Sequence, residues 1–274
     1  MLTDKEFIRY QRQIALPEIG ESGQAKLRQS HVLVIGCGGL GSAASLYLAA
    51  SGVGKLVVVD DDYVDSSNLQ RQVVYREHDI NRMKTEATAQ QLGALNSLVQ
   101  VRTIPKRLDK SQLQLEVMLA DVVLDCSDNM PTRQLINQVC FQQSTPLISA
   151  AAIGWQGQFA VFDYSEQQQS SGCYRCLYPF DELKQGMKCS EMGVVGPVVG
   201  TLGNYQALAA IQKLATGKFH VASGHLHLFD GFRMAWQTMV INKDQECQVC
   251  RNANEPQHRV KRGVTNDTTK SFDN

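Results

Sequence analysis

His31-Val32-Leu33-Val34-Ile35 runs directly into Gly36-Cys37-Gly38-Gly39-Leu40-Gly41, and the fold turns on that junction. The apolar run is short, rich in β-branched residues and bounded by glycine, which is the pattern of a strand buried on both faces of a parallel sheet. Residues 42–51, Ser-Ala-Ala-Ser-Leu-Tyr-Leu-Ala-Ala-Ser, are small and compatible with a helix, and Gly52 closes it. Gly36, Gly38 and Gly41 satisfy G-x-G-x-x-G, with Gly39 an additional glycine. The physical need behind that spacing is close approach of backbone N–H groups to phosphate at a helix N-terminus. A tight strand-to-helix turn with no ligand would also use these glycines, and a nicotinamide-dependent dehydrogenase shares them.

Outward from this junction, strands and helices alternate. Leu56-Val57-Val58-Val59 reads as a second strand ending in Asp60, Asp61 and Asp62; a helix over 83–95, a strand over 99–104 and a helix over 111–119 lead to Val122-Val123-Leu124-Asp125. Pro146-Leu147-Ile148-Ser149 and Gln158-Phe159-Ala160-Val161-Phe162 continue the strand pattern. The alternation predicts an α/β fold with a doubly wound, mainly parallel, Rossmann-like sheet and flanking helices. A partly helical arm, residues 1–29, precedes it. The expected organisation is one domain over 1–251, stapled near its C-terminal end, and a polar tail over 252–274 with no apolar periodicity and hence expected disorder.

In open parallel sheets, ligands lie beyond the carboxyl ends of the strands. The first strand ends in glycines, the second in Asp60 and Asp62, and a later one in Asp125, Ser127, Asp128 and Asn129. Asp60 follows Gly41 by 19 residues, where a carboxylate can accept hydrogen bonds from ribose hydroxyls. Asn68-Leu69-Gln70-Arg71-Gln72 follows the second strand, and Lys84 begins the next helix. A triphosphate carries about four negative charges, so Arg71 and Lys84 suit a phosphate clamp and Asp128 suits a Mg²⁺ ligand. Arg9 and Arg12 share a face if the arm is helical. Each cation taken singly reads equally as a solvated surface charge.

Two C-x-x-C pairs, Cys173 with Cys176 and Cys247 with Cys250, have the spacing of a four-thiolate zinc site. Seventy residues separate the pairs, so a shared ion would fasten two distant segments, with no ligand position left for water. Incidental thiols or a redox pair are the alternatives. Cys189 has no such partner, and Lys184 and Lys188 nearby would favour its thiolate. Cys37, Cys126 and Cys140 read as small core hydrophobes. Gly193-Val194-Val195-Gly196-Pro197-Val198-Val199-Gly200, with Pro197 suited to a helix first turn, reads as scaffolding that leads into a helix over 207–214.

The balance of 27 basic and 27 acidic residues excludes a general nucleic-acid coat or a polybasic membrane anchor. No stretch approaches the ~18 apolar residues of a membrane span, and eight cysteines in 274 residues are too few for a disulfide scaffold. The expectation is a cytoplasmic protein without nucleic-acid or membrane partners.

Arg9-Tyr10-Gln11-Arg12-Gln13-Ile14, the Gly36 to Gly41 loop, Asn68-Leu69-Gln70-Arg71-Gln72, Asp125-Cys126-Ser127-Asp128-Asn129 and both cysteine pairs together resemble the ThiF/MoeB/HesA family, bacterial relatives of the ubiquitin-activating enzymes. The resemblance covers residues 4–250, with the motifs in order. It implies an ATP-dependent adenylyltransferase acting on the C-terminal glycine carboxylate of a ubiquitin-like sulfur carrier, with a desulfurase or rhodanese-type protein supplying sulfur. By that resemblance Gly39 and its neighbours border the phosphates, Asp60 holds the ribose, and Asn68, Arg71 and Lys84 contact the phosphates. Asp62, Gln70 and Asn129 belong to the same nucleotide set. Asp128 would hold Mg²⁺, Arg12 would reach the triphosphate of the other subunit of a homodimer, and the four paired cysteines would hold zinc. Met192-Gly193-Val194-Val195-Gly196-Pro197-Val198-Val199-Gly200 looks like the thiamine branch, whose carrier is of the ThiS type, more than the molybdopterin branch, which usually has Ala-Pro rather than Gly-Pro there. In the thiamine branch a cysteine at the position of Cys189 is associated with a covalent link to the carrier. Ser127 departs from the threonine of many relatives but keeps the hydroxyl, and residues 164–171 look like a surface insertion.

Overall fold

The computed structural model describes residues 2–165, 171–181 and 193–251. Two helices, α1 (Asp4–Ile14) and α2 (Gly20–Gln29), form the N-terminal arm, and α1 opens on a capping box in which Thr3 and Glu6 satisfy each other's backbone amides. The core then alternates as β1 (His31–Ile35), α3 (Gly39–Ala50), β2 (Lys55–Val59), α4 (Lys84–Leu95), β3 (Gln100–Ile104), α5 (Lys110–Leu119), β4 (Val122–Asp125), α6 (Met130–Gln143) and β5 (Leu147–Ile153). After these come β6 (Gln156–Phe162), the short α7 (Tyr174–Leu177), α8 (Gly196–Thr216), β7 (His225–Asp230) and β8 (Ala235–Val240).

All eight strands join one sheet in the order β3-β2-β1-β4-β5-β6-β7-β8. The first five in that order pair in parallel, as the apolar runs predict, whereas β6, β7 and β8 are antiparallel. The change of direction begins at Gly154, whose φ of 57° lets the chain reverse directly from β5 into β6. Helix α6 and strands β7 and β8 are additions to the sequence reading.

The two faces of β1 feed different cores. Val32 and Val34 pack with Leu40, Leu48, Leu202 and Ala207 of α3 and α8, while Leu33 and Ile35 pack with Val117, Ile136 and Val139 of α5 and α6. Period-two alternation in a strand buried on both sides produces this division. Small residues let α3 and α8 come unusually close: a Cβ on Gly203 would stand 2.4 Å from the Leu40 carbonyl oxygen. The β1–β4 boundary is where the strand order reverses, and so where an open α/β sheet leaves a crevice for ligands.

Candidate functional site

The glycine loop sits in that crevice. Gly36 has φ +98°, and a Cβ there would lie 2.5 Å from the Cys126 carbonyl oxygen, so the loop leaving β1 touches the backbone leaving β4. Gly41 is equally constrained, since its Cβ would meet the Gly36 carbonyl oxygen at 1.9 Å. Helix α3 follows Gly38, an N-cap without a side chain to cap it, which leaves the positive end of its dipole facing the crevice.

Asp60, at the end of β2, accepts from the Cys37 amide at 2.6 Å and from the Asp62 amide at 2.9 Å. Burial raises its carboxyl above the usual range, and Lys84 with the two amides opposes the rise. Oδ2 therefore holds the glycine loop in place, while Oδ1 fixes the turn that carries Asp62. Asp62 is more exposed and accepts from Lys84 Nζ at 2.8 Å. Lys84 is the first residue of α4, and its own amide donates to the Asp62 carbonyl at 3.0 Å, so backbone and side chain fix it together.

Arg71 reaches the same edge through its backbone: its carbonyl oxygen would be 3.2 Å from a Cβ on Gly39, and its Nη1 donates to the Ser67 carbonyl at 3.2 Å. Gln70 meets the start of α8, where a Cβ on Gly196 would stand 2.4 Å from the Gln70 carbonyl oxygen. Asn68 donates through Nδ2 to the Ser67 hydroxyl at 3.2 Å. Asp128 is exposed beyond β4, and Asn129 caps α6 by accepting from the Thr132 amide at 3.0 Å while its Nδ2 donates to Asp128 Oδ1 at 3.3 Å.

Arg12 is not brought to this edge within one chain. Its helix is anchored by Tyr10, which lies against Gly52 beyond the far end of α3 and accepts from Asn96 Nδ2 at 2.8 Å. The 12 residues of α3 separate that anchor from the glycine loop, about 18 Å at the rise of an α-helix. Arg9 also points there, donating to the Leu95 carbonyl at 3.1 Å.

The cysteine pairs do meet. Cys173 Sγ lies 3.9 Å from that of Cys176 and 3.7 Å from that of Cys247, Cys176 lies 3.4 Å from Cys250, and all four sulfurs fall within 4.8 Å of one another. Tetrahedral zinc at about 2.3 Å from each sulfur requires separations of about 3.8 Å, so the cluster fits that ion. Hydrogen bonds from Cys250 and its neighbours pull the Cys173 thiol down to about 5. Burial pushes Cys176 up to about 11. Asn137 Nδ2 at 3.7 Å from Cys173 Sγ and the Asp244 amide at 3.4 Å from Cys176 Sγ complete the surroundings. Cys189 and residues 252–274 lie outside the described residues, as does most of the 164–171 insertion.

Four contributors escape sequence reading. Tyr75, buried, donates its hydroxyl to the Cys37 carbonyl at 2.7 Å and props the glycine loop from below. Gln206, inside α8, donates to the Asp125 carbonyl at 2.8 Å. Buried Asp125 accepts from Ser127 Oγ at 2.6 Å, Ser149 Oγ at 3.0 Å and Arg133 Nη1 at 3.4 Å. Burial works against the charge of Arg133, but Asp125 together with Tyr174 and Cys126 more than offsets it, so the guanidinium is held above its usual range. Asn137 is described above. The N-cap at Asn129 and Pro131 just inside the helix were the available signal for α6, and hence for Arg133 and Asn137 on its inner face.

A model of the ThiF family matches residues 10–249. The chain belongs to the ThiF family. This ThiF-family chain is 47% identical over 253 residues to the sulfur carrier protein ThiS adenylyltransferase of Escherichia coli, covering 92% of this chain and 98% of that one. It is 39% identical to the molybdopterin-synthase adenylyltransferase of the same organism, over 91% and 98% of the two chains. It is 40% identical to the adenylyltransferase and sulfurtransferase MOCS3 of Xenopus laevis, but spans only 56% of that protein's length. Among solved structures, Escherichia coli MccB superposes with a TM-score of 0.75 over 92% of this chain and 74% of its own, at 23% identity, a likeness of fold. Membership makes the ThiF-family chain an enzyme of the adenylyltransferase class. No helix among the described residues is long and apolar enough to cross a membrane.

Proposed function

We propose that this enzyme adenylylates the C-terminal glycine of a ThiS-type sulfur carrier at the expense of ATP, for sulfur transfer into the thiazole of thiamine. The observation that carries the reading is the crevice between β1 and β4, where an uncapped helix N-terminus, Lys84 and the Arg71 segment converge on one glycine loop opposite the Asp128 turn. A dehydrogenase would use the loop and Asp60, but would have no work for a phosphate-facing lysine and a carboxylate opposite it.

In this reading the amides of residues 38–41 and the cations Lys84 and Arg71 hold the triphosphate, with Asn68 and Gln70 alongside. Asp60 fixes the loop and borders the ribose, and Asp62 surrenders Lys84 to the phosphates. A carboxylate is a poor electrophile, so the carrier's terminal carboxylate attacks the α-phosphate, the α–β bridging bond breaks, and pyrophosphate leaves with its electron pair. Catalysis is then positioning and charge stabilisation. Asp128 would hold Mg²⁺, which would supply positive charge against the departing pyrophosphate. Arg12 serves the crevice of a second subunit in a homodimer, since its own lies at the far end of α3. Zinc held by Cys173, Cys176, Cys247 and Cys250 is structural, and Cys189 is the candidate for a covalent link to the carrier before a desulfurase or rhodanese-type donor delivers sulfur.

The 39% identity with a molybdopterin-synthase adenylyltransferase supports a second reading, with the molybdopterin-type carrier as substrate. ATP–pyrophosphate exchange with each purified carrier separates them. Exchange with the ThiS-type carrier is expected; exchange with the molybdopterin-type carrier alone overturns the thiamine assignment, and exchange with neither overturns both.

A further inference from the structure

Cys37, the first side-chain-bearing residue of the glycine loop, is held from both sides. Its amide donates to Asp60 Oδ2 at 2.6 Å, and its carbonyl accepts from the Tyr75 hydroxyl at 2.7 Å. The phenol oxygen also lies 3.2 Å from Thr88 Oγ1. A phenol has one proton, and the Cys37 carbonyl takes it, so the Thr88 hydroxyl is the donor in the second contact. Thr88 stands one turn after Lys84 on α4, and the Lys84 carbonyl oxygen is itself 3.4 Å from the phenol. One hydroxyl thus joins the glycine loop to the helix that presents the lysine. Tyr75, Cys37 and Thr88 are 4%, 1% and 0% exposed, so no water replaces a bond deleted there. Burial holds the phenol far above its usual range, and the proton stays on it.

The 37–38 peptide is trans, and in a trans peptide the C=O and the following N–H point in opposite directions. Because the Cys37 carbonyl faces Tyr75 and α4, the Gly38 N–H faces away from them. Helix α4 packs against β2 and β3, whereas β4 lies on the other side of β1. The amide is therefore turned toward the crevice. Among the described residues it meets no acceptor, like the amides of the α3 first turn that follow it. Glycine lacks the Cβ that would resist rotation of this peptide, so its orientation depends on what the carbonyl binds.

We propose that Tyr75 is a positioning residue for the phosphate seat: its hydroxyl holds the 37–38 peptide so that the Gly38 N–H is presented to a phosphate oxygen, and through Thr88 it keeps that amide in register with Lys84. That the phosphate is ATP's rests on the adenylyltransferase reading; the seat itself is addressed with inorganic tripolyphosphate.

Tyr75→Phe keeps the ring in its packing with Val64, Val74 and Ala87 and deletes only the hydroxyl. With the carbonyl released, the presenting orientation is expected to fall to roughly 10–30% of the population, which weakens tripolyphosphate binding in calorimetry about three- to tenfold. The KM for ATP in pyrophosphate exchange rises by the same factor, while kcat stays within about twofold because bound nucleotide draws the peptide back. Replacing Tyr75 with para-aminophenylalanine, whose amino group can donate to the same carbonyl, is expected to restore both. Thr88→Val should weaken tripolyphosphate binding less, and the double variant should bind no more weakly than Tyr75→Phe, since Thr88 acts through the phenol. Val74→Ala, in the same buried cluster, should lower the melting temperature and leave tripolyphosphate affinity unchanged below its transition.

Wild-type tripolyphosphate affinity in a folded Tyr75→Phe protein overturns the assignment. So does an equal loss in Val74→Ala, which would mark a general loosening, or an additive loss in the double variant. Should Tyr75→Phe not fold, Thr88→Val decides: weakened tripolyphosphate binding retains the assignment and an unchanged affinity overturns it. A wild type that binds tripolyphosphate but never exchanges pyrophosphate defeats the proposed function, and the affinity difference between wild type and variant still decides the role of Tyr75. A wild type that binds no tripolyphosphate overturns the seat.

Discussion

Replacing Lys84 with Met separates the cost of folding from the cost of phosphate binding. The Lys84 side chain is 6% exposed and its ion-pair partner among the described residues, the Asp62 carboxylate, is 70% exposed. When the ammonium goes, Asp62 rehydrates, so that lost pair costs about 0–1 kcal/mol, the usual worth of a solvent-facing ion pair, and the support Lys84 gives the partly buried Asp60 carboxylate is lost with it. Methionine fills the stem's place in the packing. For a domain of this size, the Asp62 pair alone corresponds to a melting shift of at most roughly 2–4 °C. A phosphate oxygen in the position of the Asp62 carboxylate would form a charge-assisted hydrogen bond worth about 1.5–3 kcal/mol. Its loss lowers ATP affinity or kcat/KM about ten- to hundredfold. Scanning calorimetry and ATP–pyrophosphate exchange on the same preparation read the two effects. Wild-type exchange in a folded Lys84→Met protein would refute the phosphate role, and a collapse of the melting temperature would show that the lysine serves the fold instead.

Asp128→Ala should abolish exchange with little change in melting temperature, because the exposed side chain accepts only from Asn129 Nδ2 among the hydrogen bonds described here; exchange in this variant at ordinary Mg²⁺ would remove it as the metal ligand. Elemental analysis should find one zinc per chain, and its removal should lower the unfolding midpoint substantially, since crosslinking a loop of this length is worth on the order of 4 kcal/mol in a chain-entropy account; a metal-free protein of unaltered stability would contradict the structural role. Gly36→Ala should destabilise the protein by about 2 kcal/mol or more, given φ +98° and a backbone oxygen 2.5 Å from the new Cβ; unfolding in urea at wild-type concentrations would argue against this loop geometry. Cys189→Ala should retain adenylylation and lose sulfur transfer; unimpaired thiazole formation would assign the sulfur step elsewhere.

The parallel half of the fold was legible because burial on both faces forces continuous apolar strands, and because Gly36, Asp60 and Lys84 stand at element ends that the pattern itself marks. Lys84 opens α4 as the sequence reading placed it. The antiparallel half was harder. His225-Leu226-His227-Leu228-Phe229-Asp230 and Ala235-Trp236-Gln237-Thr238-Met239-Val240 lie at the sheet's outer side, and β8 is largely exposed, so their patterning is weakly constrained by a core. Local spacing could suggest that Cys173, Cys176, Cys247 and Cys250 share an ion, but only the fold brings the pairs together. Nor could it reveal Tyr75 and Arg133 as props, although Asn129 and Pro131 do mark where α6 begins. Those roles depend on which backbone oxygen a buried side chain meets, and chain distance carries little information about that.

Cys173 and Cys247 are 74 positions apart, and everything that builds the crevice between β1 and β4 precedes the first of them apart from the packing of α8. As the polypeptide emerges from the ribosome, the half that forms the crevice can assemble while Cys173 and Cys176 wait without companions. The clasp closes only once α8, β7 and β8 have been made. Capture of an ion by all four cysteines would thus date the completion of the molecule, and a chain interrupted before Cys247 would carry the β1–β4 crevice together with two unclaimed thiols, open to oxidation or surveillance.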